Sequence, residues 1–191
     1  MKSLCGWVVG QSDPEIIHIP YELGEEELHF TFMREAIQLS SDAEKHGNHP
    51  FGAILVYEDP KTRHRHILLK AENLVHTNSD ATQHAELRLV SDANQDASIT
   101  KEMLKNSILY TSSEPCAMCA GAIFWSGIRK VVYAAPHDTF GSASFRVPCR
   151  EVFKYARKSA DAHNDESVVV IGPVLADESV PIVSNYFKDK F

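Results

Sequence analysis

The chain has 191 residues, a formal net charge of −7 and a hydrophobic fraction of 43%. This length suits one well-buried domain and leaves little room for a second. The acidic balance argues against a general attraction to nucleic acid, and no apolar run approaches the length of a membrane span.

Residues 1–24 are expected to form an N-terminal extension, followed by a single domain over residues 25–191. The start of the extension has only a short apolar patch, which is too brief for a signal peptide. From Glu25 onward the apolar residues recur near the helical period, which predicts a helix that stops at Gly47.

Five apolar runs predict strands, and the segments between them predict helices. The strands are expected at residues 51–57, 66–72, 106–112, 129–134 and 167–171. After a polar loop, helices are expected to open at His84 and to cover residues 116–125, 148–158 and 182–191. Strands that alternate with helices are typical of an α/β sandwich around a central sheet.

Two short segments combine side chains that bind zinc. His84 contributes an imidazole and Cys116 and Cys119 contribute two thiolates, a donor set for a four-coordinate zinc with one position left open for water. An open position indicates catalysis rather than a structural role. Pro115 suits the first position of a helix, which would place the two cysteines three residues apart on one face. The N-terminus of such a helix favours the thiolate form that a metal requires.

Glu86 follows His84 by two residues, an offset that turns two side chains to different sides of a regular helix. Both can face one metal only at an irregular or first-turn position. Thr82 or Asp80 is the expected cap of this helix. The sequence therefore predicts that the backbone at His84 is irregular or lies in the first turn of the helix.

Two other interpretations of the cysteine pair stay open. A Cys-x-x-Cys pair also occurs in redox dithiols, although the adjoining His84-Ala85-Glu86 has no role in that chemistry. A structural zinc needs a fourth protein ligand, which Cys5, Cys149 or a histidine can supply. With two of four cysteines used for a metal, a disulfide framework is not expected, and the default is a soluble cytoplasmic protein.

His84-Ala85-Glu86 followed by Pro115-Cys116-Ala117-Met118-Cys119 resembles the H-x-E and P-C-x-x-C signature of the zinc-dependent cytidine and nucleobase deaminases. Residues 49–56 are similar to the first strand of that family with its lead-in, and the resemblance extends over residues 28–133. It implies a three-layer α/β/α sandwich around a central, largely five-stranded mixed sheet. It also implies a hydrolytic deaminase with one Zn²⁺ per chain.

The resemblance implies roles for several individual residues. Glu86 would carry protons without binding zinc. Phe51, the backbone at Ala53 and the amide of Asn73 would contact the substrate. The Glu114 carbonyl would face the leaving ammonia, and the N–H of residue 116 would steady the reacting oxygen. Asn73 can instead be a turn residue that satisfies only its own loop.

Residues 112–125 and the ending 186–191 are similar to the bacterial guanine deaminases, which implies a small purine such as guanine as substrate. In that group a C-terminal segment closes the active site, often that of a partner subunit, and Phe187 or Phe191 would do so here. We therefore expect a small-molecule nucleobase or nucleoside as substrate and a homodimer as the assembly. The residues after Tyr133 do not align with the acidic residue that contacts an exocyclic amine in that group.

The tRNA adenosine deaminases share the core motif and are the main alternative. They need clusters of lysine and arginine around the pocket. Arg146 is the only such residue within 136–147, so a nucleic-acid partner is not expected. Cytosine, a pyrimidine nucleoside, or an aminated ring such as a pterin or triazine also remain open. A catalytically silent zinc-binding subunit is a further alternative, although such partners usually lack the glutamate that Glu86 provides.

Overall fold

The computed structural model describes residues 25–139, 147–159 and 167–188. The predicted extension over residues 1–24 and the candidate Phe191 lie outside the described residues. In chain order the helices and strands are α1 (Glu25–Lys45), β1 (Gly52–Glu58), β2 (Arg65–Glu72), α2 (Val75–Asn78), α3 (Ala85–Gln95), α4 (Lys101–Lys105), β3 (Ser107–Ser113), α5 (Ala117–Ser126), β4 (Lys130–Ala135), α6 (Cys149–Ser159), β5 (Val169–Ile171) and α7 (Ala176–Phe187).

The five strands form one mixed sheet in the order β2-β1-β3-β4-β5. Strand β1 is antiparallel to both of its neighbours, with Leu55 opposite Leu69 on one side and Leu109 on the other. Strands β3, β4 and β5 run parallel. The expected five-stranded mixed sheet is confirmed.

The sheet is covered on both faces, which produces the expected three layers. Along β1, Ala53 and Leu55 belong to a core cluster shared with α3, α5 and α6. Ile54 and Val56 alternate with them and belong to a second cluster shared with α1 and α7. Because both faces are buried, the strand is a near-continuous apolar run rather than an alternating one.

Helix α1 approaches the start of β1 very closely. A Cβ atom placed on Gly52 would lie 2.5 Å from the Ala36 carbonyl oxygen, a backbone atom of α1. Only glycine fits there without displacing the helix. This contact fixes the beginning of β1, which is the end of the strand that lies nearest the candidate site.

The predicted strands agree with the observed ones to within two residues, and so do the bounds of α1, α5 and α6, whereas α2, α4 and α7 differ more. The polar loop before His84 contains the short helix α2, and α4 follows a cap in which the Thr100 side chain accepts from the N–H of Met103. Helix α7 begins at Ala176 rather than at the predicted 182, and Pro181 lies inside it. Among the described residues, no helix combines the length and apolar character needed to cross a membrane.

Candidate active site

Three side chains from two helix starts converge on one point. The Nδ1 atom of His84 lies 3.6 Å from the sulfur of Cys116 and 3.6 Å from that of Cys119. Zinc bonds of about 2.3 Å to sulfur and about 2.0 Å to nitrogen in a tetrahedron give an N···S separation of about 3.5 Å. The three side chains therefore have the spacing of ligands of a single zinc ion.

The fourth position of such a tetrahedron is not taken by a described protein side chain. In the described part of the chain, the group of mutually close donor atoms consists of His84, Cys116 and Cys119. Cys149, a candidate fourth ligand, is not in the group, and Cys5 lies outside the described residues. Three protein donors and a free place are typical of catalytic rather than structural zinc.

Each of the two helices that carry candidate zinc donors begins at one of them, and this explains how His84 and Glu86 can face the same point. His84 is the N-cap of α3 with an extended backbone (φ −68°, ψ 145°), and Cys116 is the N-cap of α5 (φ −68°, ψ 170°). An N-cap residue lies outside the helical phase. The side chain of His84 can therefore share a side with Glu86, which is the second residue of α3.

Two local predictions about these helix starts are wrong. Neither Thr82 nor Asp80 caps α3, because His84 occupies the cap without a side-chain hydrogen bond, and Asp80 accepts instead from the N–H of Thr82. Pro115 is not the first residue of α5 but precedes its N-cap, Cys116. In both cases the ligand takes the cap position, where the extended backbone turns its side chain toward the other donors.

Electrostatics at the centre favour the thiolate form of Cys116 and the protonated form of Cys119. The pKa of Cys116 is lowered to about 4, because its sulfur accepts hydrogen bonds from the Cys119 thiol and from His84, with a further bond from the Cys119 backbone N–H. The pKa of Cys119 is raised, because its thiol is held by Cys116 and is buried. The hydrogen bond to Cys116 raises the pKa of His84. A negative sulfur beside an imidazole is the donor chemistry that zinc prefers.

Glu86 lies beside the ligand group without being part of it. Its side chain is 5% exposed, its Oε2 lies 3.7 Å from the Cys119 sulfur, and its Oε1 accepts a hydrogen bond from the Thr111 hydroxyl at 3.2 Å. Burial raises the pKa of Glu86, and the charge of Cys116 raises it further, against smaller lowering effects of His84 and Thr111. A carboxyl group in this environment can hold and release a proton.

Asn73 is fully buried and only partly satisfied. Its backbone N–H donates to the Phe51 carbonyl at 2.9 Å, and its Oδ1 accepts from the N–H of Val75 at 3.0 Å. The Nδ2 group has no hydrogen-bond partner among the described residues. The turn interpretation therefore accounts for the oxygen of this amide and leaves its nitrogen unexplained.

The other candidate substrate contacts lie around the same end of the sheet. Ala53 is fully buried in β1, opposite Thr111 of β3. The Glu114 backbone N–H donates to the Ala135 carbonyl, and its carboxylate accepts from the N–H groups of His137 and Cys149. The resemblance implied a role only for the Glu114 carbonyl, and nothing in the local sequence indicated these contacts of its carboxylate.

Two further neighbours of the site were missed. Thr111 follows Leu109 by two residues on a buried strand, and a polar side chain on such a face is the signal that would have indicated it. His137 lies after β4, and its Nε2 contacts the Pro115 carbonyl at 3.1 Å. No local pattern marks His137, because the contact joins segments 22 residues apart.

The end of α7 packs on the segment that leads into β1 of the same chain. The ring of Phe187 lies 6.1 Å from that of Phe51 and 5.9 Å from that of His49. Tyr186 lies 5.8 Å from His49, and its hydroxyl is 3.5 Å from Nε2 of His76. Phe51 belongs to this aromatic cluster, and its carbonyl accepts from the backbone N–H of Asn73. The cluster is therefore adjacent to the residue that carries the candidate amide.

Comparisons with known proteins agree on the chemistry of the site. A family model described as the cytidine and deoxycytidylate deaminase zinc-binding region matches residues 26–135. A probable cytosine deaminase of Schizosaccharomyces pombe is 36% identical over 160 residues, covering 83% of this chain and 91% of that protein. The guanine deaminase of Bacillus subtilis is 36% identical over 118 residues, covering 61% and 70%. A tRNA-specific adenosine deaminase of Haemophilus influenzae is 33% identical over 158 residues, covering 83% and 82%.

Solved structures show the same fold. A guanine deaminase from Nitrosomonas europaea superposes with a TM-score of 0.65 at 21% identity, covering 92% of this chain and 88% of the other. The Bacillus subtilis guanine deaminase superposes with a TM-score of 0.53 at 30% identity, covering 84% and 94%. These two guanine deaminases thus share with this chain one arrangement of helices around a mixed sheet.

Proposed function

Because the chain belongs to the cytidine and deoxycytidylate deaminase family, we propose that it hydrolyses the amino group of a free nucleobase, with guanine as its substrate. Membership of the family makes it a zinc-type hydrolytic deaminase. The observation that carries the chemistry is the buried carboxyl group of Glu86 beside three zinc donors with no fourth protein ligand among the described residues.

His84, Cys116 and Cys119 would hold the zinc ion, which when bound acts as a Lewis acid that lowers the pKa of water. Glu86 accepts a proton from the attacking water and passes it to the ring nitrogen next to the reacting carbon. It then carries the second proton of the water to the amino group. A C–O bond forms, the C–N bond breaks, and ammonia leaves. The presence of Glu86 also favours an active enzyme over a catalytically silent zinc-binding subunit, which would usually lack this glutamate.

Asn73 is proposed to bind the polar edge of the ring. Leaving a buried donor unpaired costs about 1–3 kcal/mol, and a substrate carbonyl or ring nitrogen that accepts from Nδ2 would recover this energy. Phe51 and Ala53 lie at the start of β1 and are proposed to contact the same substrate. They are close to Asn73, because the Phe51 carbonyl accepts from the Asn73 backbone N–H. The Glu114 carbonyl is proposed to face the departing ammonia from the end of β3, which lies beside the start of β1.

The packing of α7 supports a small substrate. Phe187 is proposed to cover the active site of its own chain, because it packs on Phe51 and His49 rather than extending away from the domain. The Ser179 hydroxyl of the same helix donates to the Ser112 carbonyl at 2.7 Å, within the buried end of β3. A helix anchored in this way leaves little room for a polynucleotide, and the net charge of −7 adds repulsion.

The substrate is tested by ammonia release from guanine, cytosine, their nucleosides and deacylated tRNA, with the Glu86→Gln variant as the inactive control. We expect turnover of guanine. Cytosine is the second candidate, because the relative named a probable cytosine deaminase covers the larger part of this chain. Robust formation of inosine in tRNA by this chain alone would refute the proposal.

The outer face of α5 supports a homodimer. Trp125 is 85% exposed and Met118 38% exposed on this helix, and a Cβ on Gly121 would have no neighbour within 4 Å. A helix that is apolar on its exposed side as well as on its buried side is usually covered by another chain. Light scattering should give twice the mass of the chain, and Trp125→Glu should give the monomer mass. A monomeric wild-type protein would refute this assembly.

A further inference from the structure

A buried carboxylate and an imidazole hold the turn that carries the zinc ligand Cys116. Glu114 is 6% exposed, and its two oxygens accept from different segments: Oε1 from the N–H of Cys149 at 3.1 Å and Oε2 from the N–H of His137 at 3.2 Å. Cys149 is the first residue of α6, so the carboxylate also faces the positive end of that helix. A single side chain thus joins β3, the segment after β4 and the start of α6.

The contact of His137 returns to the same turn. Its Nε2 lies 3.1 Å from the Pro115 carbonyl oxygen, which can only accept, so Nε2 must carry the hydrogen. The His137 ring therefore donates to Pro115, the residue that follows Glu114. The backbone N–H of His137 donates to the Glu114 carboxylate. These two bonds close a loop between residues 114–115 and residue 137.

The second bond acts on the peptide that joins Pro115 to Cys116. This peptide is trans, so its N–H points opposite to its carbonyl. By holding the Pro115 carbonyl, His137 sets the direction in which the Cys116 N–H points. The same peptide also sets the extended backbone of Cys116 and hence the direction of its sulfur.

The thiol of Cys149 adds a third donor to this arrangement. Burial and the charge of Glu114 hold the pKa of Cys149 well above its usual value, and the protonated thiol hydrogen-bonds the Glu114 carboxylate. A buried carboxylate with this many donors is fixed in position, since each of its oxygens is restrained from a different element.

We propose that Glu114 and His137 are positioning residues that hold the Glu114–Cys116 turn, so that the sulfur and the N–H of Cys116 point into the zinc centre. Neither side chain belongs to the group of zinc donors or to the proposed substrate contacts. The catalytic consequence rests on the proposed function, whereas the geometry of the metal centre can be measured without any substrate. Partners that orient metal ligands typically change metal affinity or activity by about 10- to 100-fold when they are removed.

The test replaces zinc by cobalt(II), whose absorption bands report the geometry and the thiolate bonds of the site. Glu114→Gln replaces one carboxylate oxygen by an amide NH₂ group, which cannot accept from the backbone N–H of His137 or Cys149. His137→Phe removes the ring N–H that donates to the Pro115 carbonyl. His137→Gln is the conservative variant, because its amide nitrogen can reach the position of Nε2. Glu58→Gln is the matched control, because Glu58 is as buried as Glu114 and pairs with Arg63 and Arg65. Glu58 is the last residue of β1, about 20 Å along the strand from the end of β1 that lies nearest the zinc donors.

We expect Glu114→Gln and His137→Phe to shift the cobalt bands and to weaken cobalt affinity about 10-fold, measured by competition with a chelator. His137→Gln should restore most of the wild-type spectrum, and Glu58→Gln should lower the unfolding temperature without changing spectrum or affinity. Wild-type spectra and affinities in both Glu114→Gln and His137→Phe would overturn the proposal. A wild-type protein that binds cobalt but deaminates no base would refute the proposed function and leave this test intact.

Discussion

Replacing Gly52 by alanine tests how closely helix α1 packs on the start of β1. The added Cβ would lie 2.5 Å from the Ala36 carbonyl oxygen and 2.6 Å from both the Leu39 Cβ and the Ser40 nitrogen. Two of these three atoms belong to the backbone, so no side-chain rotation can relieve the contact. Inserting a methyl group into such a site costs about 1–3 kcal/mol. For a chain of this size that corresponds to a fall in unfolding temperature of about 2–12 °C.

Differential scanning fluorimetry or circular dichroism measures this change. Gly121→Ala is the matched control, and both variants are made in the Trp125→Glu background, because Gly121 lies on the face of α5 that is proposed to form the dimer. Gly121 lies inside α5, and a Cβ there would meet no atom within 4 Å. Alanine is favoured over glycine in a helix interior by about 0.5–1 kcal/mol, so this variant should unfold at a slightly higher temperature. If Gly52→Ala unfolds at or above the wild-type temperature, the close approach of α1 to β1 is refuted.

Three further predictions concern catalysis, the core and the anchoring of α7. Glu86→Gln should lower kcat by about 10²- to 10⁴-fold while zinc content, measured by mass spectrometry, stays at one per chain; near-normal kcat would exclude Glu86 as the proton carrier. Tyr110→Phe removes a buried hydroxyl that lies 2.8 Å from Nδ1 of His29, and should cost about 1–3 kcal/mol in urea unfolding. Ser179→Ala removes the hydrogen bond from α7 to the buried Ser112 carbonyl, and should cost about 1 kcal/mol and raise KM for the free base; an unchanged KM would argue against α7 as a cover.

The zinc donors were predictable from the sequence because each depends on local spacing. A His-x-Glu segment at one helix start and a Cys-x-x-Cys segment at another specify donor types that are recognised without knowledge of the tertiary fold. The strands were predictable for a similar reason, since Ile54, Leu55 and Val56 are all fully buried and form one apolar run. The mixed sheet, the hydrolytic chemistry and the single zinc are confirmed.

The helix starts were predicted less well. Pro115 and Asp80 suit cap and first-turn positions by residue type, but Cys116 and His84 occupy the caps. Propensity at a helix start amounts to about 1 kcal/mol, which is less than the gain from directing metal ligands toward each other. Helix α7 likewise continues through Pro181, because its packing against α1 and β3 outweighs the local preference for a break at proline.

By itself the sequence determined which side chains are candidate zinc donors, which chemistry the chain supports and which segments form the sheet, because these properties depend on residue type and short-range periodicity. Only the tertiary structure decided that β1 lies between β2 and β3, that Phe187 packs on Phe51, and that Glu114 joins His137 to Cys149. Each of these contacts joins residues far apart in the chain. Their partners are set by how the layers pack, and no local pattern records that choice.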